Sequence, residues 1–109
     1  IRFRPSSTAN SAGVIPALHH VDLIAGDVTG QTGDANPTTR LVRRFTATDW
    51  QRDGDSYVIR FRMPAPAASG YLRLRGSNTD QTEPAPDLPG EDPWQDLWFY
   101  SNPVYIRAL

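Results

Sequence analysis

Ser56-Tyr-Val-Ile-Arg-Phe-Arg-Met63 places Tyr57, Ile59, Phe61 and Met63 on one side of an extended chain and Arg60 and Arg62 on the other. A period of two is the spacing of a strand with one dry and one wet face. The same alternation recurs at Tyr71-Leu-Arg-Leu-Arg-Gly76, where Leu72 and Leu74 oppose Arg73 and Arg75, and at Ile1-Arg-Phe-Arg4. Working outward, strands are predicted near Ile1–Arg4, His19–Ala25, Thr39–Ala47, Ser56–Met63, Tyr71–Arg75 and Val104–Leu109, with a short seventh at Trp98–Tyr100. Ten prolines and eight glycines punctuate these runs, and helical spacing is nearly absent. Asp53-Gly54 reads as a tight turn before the Ser56 strand. Strands with one dry face need a second sheet to cover it. The predicted fold is therefore all-β, an immunoglobulin-like antiparallel sandwich of about six to eight short strands. The Cys…Trp…Cys mark of true immunoglobulin domains is absent, because the chain has no cysteine.

At 109 residues the chain has room for one domain, 1–109, and for a single core. Its formal net charge is −1, so no basic excess points to nucleic acid or to an anionic membrane surface. No apolar run approaches the ~20 residues that span a bilayer. Without cysteine, disulfides and thiolate metal sites are both excluded. Every cationic side chain is arginine. A GC-rich coding sequence accounts for that most simply; the functional alternative is a surface suited to bidentate contacts with carboxylate or phosphate.

Charge is unevenly placed. Up to Arg75 there are ten arginines and six acids, and from Gly76 onward one arginine and six acids. Asp80, Glu83, Asp87, Glu91, Asp92 and Asp96 all fall between Gly76 and Trp98, where Ser77–Gln95 is the longest irregular segment. Three readings of them stand: a solvated loop, a Ca²⁺ site built from clustered carboxylates, or a loop folded back onto arginines. No D-x-[DN]-x-[DN]-G loop is present. Arg2 and Arg4, Arg60 and Arg62, and Arg73 and Arg75 each project as a pair from one strand face. Were their strands neighbours, they would form a ladder requiring anions, either the acidic loop or a phosphate-bearing ligand.

His19 and His20 are adjacent, so on a strand they face opposite ways and do not share a metal. A hydrolase triad of Ser101, His20 and Asp22 has no local signature such as G-x-S-x-G behind it. Trp94, Trp98 and Tyr100 are aromatic candidates for an interaction surface, with Trp94 expected to be partly exposed and Trp98 or Tyr100 to plug one end of the sandwich.

The C-terminal third, Tyr71 to Gly76 followed by the acidic loop and Trp98-Phe-Tyr-Ser-Asn-Pro-Val-Tyr105, resembles the C-terminal β-domain of bacterial PHP-type (polymerase and histidinol phosphatase) metal-dependent phosphoesterases. Arg75-Gly76 and Ser101 to Tyr105 carry the resemblance, and Val21 to Gly30 follows it more loosely. It implies an excised accessory domain of a larger, exported bacterial protein. The divalent metals and the hydrolase chemistry would belong to an upstream catalytic domain of the same chain, which would be this domain's partner. The family's H-x-H pair is not matched by His19-His20, so no catalytic or metal-binding position carries over, and no cofactor is expected within these residues. In this account Arg73 and Arg75 would also help shape a substrate entrance, with Arg60, Arg62, Trp94, Trp98 and Tyr100 as further contact candidates. The alternative function is an independent β-sandwich module that binds carbohydrate or another cell-surface ligand.

Overall fold

A computed structural model describes residues 1–33 and 35–109. Its strands are β1 (Arg2–Phe3), β2 (His20–Asp27), β3 (Arg40–Phe45), β4 (Gln51–Asp53), β5 (Ser56–Val58), β6 (Gly70–Ser77), β7 (Trp98–Tyr100) and β8 (Val104–Ile106), with no helix among the described residues. One antiparallel sheet has the order β1-β5-β4; the other runs β3-β2-β6-β7, with β8 also paired to β6. The two form a small β-sandwich. Between them Val21, Leu23, Phe45 and Ile59 are buried, with Phe3, Leu18, Trp50, Met63 and Leu72 packed around. Phe3 meets the edge of Trp50 at 5.3 Å between ring centroids, tying the small sheet to the turn that leads into it.

Two of the longer predicted strands are cut to half their length or less. The run Ser56–Met63 is a paired strand only to Val58. On one side the pairing with β1 runs as far as Ile1, which exchanges hydrogen bonds with Ile59 (Ile59 N–H to Ile1 O, 2.9 Å; Ile1 N to Ile59 O, 3.0 Å). On the other side, the turn closed by Asp49 N–H to Thr46 O (2.8 Å) leads the chain away. Beyond Val58 the alternation is kept only in part: Ile59 is buried and Met63 half-buried, Arg60 and Arg62 are exposed, and Phe61 is exposed as well, with no strand beside 60–63 among the described residues. Val104–Leu109 likewise pairs only to Ile106. The strand β4 is absent from the sequence reading because Gln51-Arg-Asp53 is wholly exposed and offers no apolar alternation. It exists because Gly54, at φ +64°, makes a two-residue hairpin turn into β5 of the kind that needs a positive φ at its first central position.

The motif residues near the C-terminus have a structural explanation. β7 lies along Arg75–Ser77 and β8 along Gly70–Leu72, so the edge of the large sheet is one strand interrupted at 101–103. Pro103 has no N–H for the ladder. Across the break, the Ser101 hydroxyl accepts the Leu74 N–H at 2.8 Å, while the Ser101 N–H donates to Leu74 O at 2.9 Å. Ser101→Ala should leave the Leu74 N–H unsatisfied and lower stability by about 1–3 kcal/mol in urea unfolding. An unchanged midpoint would show that water replaces the hydroxyl. Gly76 is required for a different reason: a Cβ there would run into the Phe99 ring and lie 2.8 Å from His20 O.

The sandwich is thin and wide, 49 × 38 × 18 Å. Its accessible surface is 8042 Å². A compact monomer of the same mass exposes about 6,000 Å². The excess reflects a small sheet of two- and three-residue strands that covers only part of the large one.

Candidate functional site

Asp22 is the one acid in the apolar run Val21-Asp-Leu-Ile-Ala25, and it stands in the middle of the large sheet. Val21 and Leu23 point into the core, so Asp22 points to the opposite face. Directly across from it are Arg44 on β3 and Arg75 on β6. Arg44 grips the carboxylate with two prongs, Nε to Oδ1 at 2.8 Å and Nη2 to Oδ2 at 3.0 Å, while Arg75 Nη2 donates to Oδ2 at 3.0 Å. No surface of Asp22 is exposed. Arg44 also donates to the carbonyls of Asp80 (2.9 Å) and Gln81 (3.0 Å), which roofs the site with the start of the long loop.

His20 completes the cluster and is equally buried. Its Nδ1 lies 2.8 Å from the Thr79 carbonyl, which only accepts, so Nδ1 carries the proton. Its Nε2 then accepts from Arg44 Nη2 at 3.0 Å, which fixes a neutral imidazole. The 3.6 Å approach of Nε2 to Asp22 Oδ2 is therefore not an ion pair. Burial first, then the Arg44 charge, pushes His20 below its ordinary value. For Asp22, burial alone would raise the carboxyl, but the hydrogen bonds from Arg44 and Arg75 outweigh it and hold Asp22 below the usual carboxylate range.

These directions set the response to acid. Below about pH 6.5 the unfolded chain takes up the His20 proton more readily than the folded chain, so stability falls as pH drops, by at most about 1.4 kcal/mol per pH unit. Asp22 adds a second loss as pH falls below its unfolded value of about 3.9. Urea midpoints measured from pH 7 to pH 5 should decline in the wild type and stay nearly flat in His20→Gln. Equal slopes would mean that His20 is protonated in the fold.

The cluster is a clamp, with its valences used up internally. Both carboxylate oxygens of Asp22 and both ring nitrogens of His20 are engaged, and neither side chain reaches solvent. Ser101 is likewise committed, donating to Asn102 O at 2.9 Å and accepting from Leu74, so no Ser101–His20–Asp22 hydrolase set forms. Arg44 is the participant that the sequence reading missed. The available signal was an acid inside a buried apolar strand, which demands a cation from a neighbouring strand.

The candidate residues are dispersed. Arg2 and Arg4 pair with Asp53 and Asp55 at the edge of the small sheet, Arg60 and Arg62 are exposed, and Arg73 and Arg75 belong to the large sheet, so the three pairs make no single ladder. The Arg73 guanidinium lies over Tyr100 at 5.5 Å and that of Arg75 over Trp98 at 5.8 Å. Both Nε atoms are buried without a partner among the described residues.

The acidic loop is closed by Asn78, whose Oδ1 accepts Leu97 N–H at 2.7 Å and whose Nδ2 donates to Trp94 O at 3.1 Å. Within it, Glu83 approaches Arg75 at 3.8 Å. Asp80 meets Arg44 through its backbone carbonyl alone. Glu91 accepts the Leu88 N–H and Asp92 the Trp94 N–H, both as local turn contacts. Asp87 is exposed and Asp96 half-buried. Among the described residues no three His, Asp or Glu side chains converge as a ligand set. Trp94 is half-buried. Trp98 and Tyr100 sit on the outer face with His20 and Arg75 rather than plugging the core, and Tyr100 is exposed.

One concavity accompanies this edge, an apolar groove of about 340 Å³ lined chiefly by Phe3, Pro5, Leu18, Leu97, Trp98 and Phe99. No described helix is long and apolar enough to cross a membrane. No family model matches the chain, and no match was found among curated proteins or solved structures.

Proposed function

We propose that this β-sandwich is a non-catalytic docking domain that packs its β7–β8 edge against another protein domain. One observation carries this: the accessible surface exceeds that of a compact monomer by about a third, and four of the twelve exposed large apolar side chains fall on that edge. Tyr100, Val104 and Tyr105 are 49, 64 and 71% exposed, beside Phe99 and the apolar groove. Tyr100 and Tyr105 stand on the outer face and Phe99 and Val104 on the other, so the edge offers apolar side chains to a partner on both sides. The buried Arg44–Asp22–Arg75 clamp supports the same reading, because it stiffens the sheet that carries the edge and leaves no group free for chemistry.

The partner we propose is an upstream catalytic domain of the same protein, a metal-dependent phosphoesterase by the resemblance of the Ser101-Asn-Pro-Val-Tyr105 segment, and that part rests on the motif alone. An entrance-shaping role falls to Arg73 rather than to Arg75, which is committed to Asp22. Val104→Asp and Tyr105→Asp on the exposed edge should leave the isolated domain folded and weaken its association with the rest of the natural protein; unaltered association would remove the edge from the interface.

A second reading follows from the aromatic side chains themselves. Tyr105 is stacked edge-on against Tyr71 at 6.5 Å between centroids, presenting ring surface of the kind that sugars cover. A glycan-binding module would bind polysaccharide as an isolated domain and lose that binding on Tyr105→Ala, whereas a docking domain would bind none.

A further inference from the structure

We propose that Arg73 is the charged anchor of the docking surface, where it takes a carboxylate from an Asp or Glu side chain of the partner domain. The proposal rests on the docking role and names the chemistry that the partner brings to it. Arg73 and Arg75 stand two residues apart on β6, and both point to the outer face. Each guanidinium lies over an aromatic ring of β7, Arg75 over Trp98 and Arg73 over Tyr100. There the likeness ends. Arg75 donates to Asp22 at 3.0 Å and has Glu83 within 3.8 Å. Arg73 donates to no described group, and no described carboxylate lies within 4.0 Å of it.

The strand register explains the difference. Asp22 lies directly across β2 from Arg75, whereas Ile24 lies across from Arg73. On the other side β6 pairs with β7 only from Arg75 onward and with β8 only up to Leu72, so Arg73 faces the break at 101–103. Neither neighbouring strand sets an acid against it. A guanidinium carries five N–H donors, and stacking on a ring uses none of them. Of the Arg73 nitrogens only Nε is shut off from solvent, so Nη1 and Nη2 are open to a two-pronged acceptor. A half-buried guanidinium without an acceptor calls for one from outside the domain.

The surroundings suit a protein partner. Tyr100 and Tyr105 share the outer face with Arg73, one on each side of the break, and both are exposed. Tyrosine and arginine are the side chains that most often anchor interfaces. Arg44, Arg73 and Arg75 on this face are answered within 4.0 Å only by Asp22 and the exposed Glu83, which leaves one positive charge over. A single carboxylate balances it. A second copy of the same face would bring arginine against arginine, which disfavours self-association.

The test uses the full-length product of the natural gene and reads hydrogen–deuterium exchange across residues 98–106, with the isolated domain as the undocked reference. Arg73→Met keeps the apolar stem and removes the charge. It should raise those exchange rates in the full-length protein about tenfold or more. Arg73→Glu should bring them to the rates of the isolated domain. In the isolated domain Arg73→Met should change the urea midpoint little; a clear drop would mean that Arg73 already has an acceptor within the domain, and would overturn the proposal. Full-length rates in Arg73→Met equal to those of wild type would also overturn it, while leaving the docking role standing. Were the wild type itself to show no slowing across 98–106, the docking role would fall and this proposal with it. The isolated domain should not bind polygalacturonate. Binding that is lost in Arg73→Met would assign the arginine to an acidic glycan instead and overturn the partner carboxylate.

Discussion

Asp22→Asn is expected to remove most of the domain's stability, by about 3–5 kcal/mol in urea unfolding at neutral pH. The substitution is nearly isosteric, so packing is preserved and the loss reports charge. Asp22 is the shared acceptor of two guanidinium groups, and its removal leaves Arg44 and Arg75 facing each other across β2. Glu83 is too exposed, and too distant at 3.8 Å from Arg75, to take its place. An amide also turns donor hydrogens toward Arg44 and Arg75, where only an acceptor fits. Arg44 holds the Asp80 and Gln81 carbonyls as well, so the loop that roofs the site should loosen along with the sheet. A loss below about 1 kcal/mol would mean that the arginines swing out to solvent at little cost, and that the clamp contributes no rigidity.

Phe45→Ala is expected to be comparably severe, about 3–5 kcal/mol. Phe45 is the largest side chain with almost no exposure, and it sits where the two sheets meet. It packs against Phe61, and Arg43 rests over both rings, held in turn by Asp49 at 2.8 Å. Its loss would open a cavity and remove the contact that ties Phe61 to the large sheet. The buried core consists of few residues, so neighbours have little freedom to collapse into the gap. Domains of ordinary size are stable by about 5–15 kcal/mol, and this one, with its excess exposed surface, belongs at the low end. Circular dichroism of Phe45→Ala should therefore show a protein largely unfolded at 37 °C; a cooperative transition near that of wild type would place the core elsewhere.

Alternation alone discloses most of the fold. Leu72 and Leu74 against Arg73 and Arg75 mark β6, and Val21 to Ala25 marks its buried neighbour. What the sequence hides is pairing. Residues 60–63 continue the pattern of a strand with no backbone partner among the described residues, while Gln51–Asp53 has a partner and no pattern, because hydrogen bonding depends on neighbours that periodicity does not name.

The clamp is hidden for a sharper reason. Ala25 opposite Arg40 and Ile24 opposite Leu41, continued evenly, would bring Arg43 to Asp22; the bulge that leaves Val42 as an extra residue brings Arg44 instead. Among eleven arginines, only that one-residue shift identifies the right one. Arg43 is thereby released to the Phe45 ring and Asp49.

The acidic loop shows the same limit. Its six carboxylates allow a solvated loop, a cation site or arginine partners, and the structure engages Arg44 chiefly through loop carbonyls, which composition does not reveal.

The most direct test of the docking role compares hydrogen–deuterium exchange across residues 98–106 in this domain alone and in the full-length product of its natural gene. Slower exchange across β7 and β8 in the full-length protein, with β2 and β6 unchanged, is the predicted result. Equal exchange in the two would contradict it, and would leave the exposed tyrosines of this edge to a soluble ligand such as a glycan.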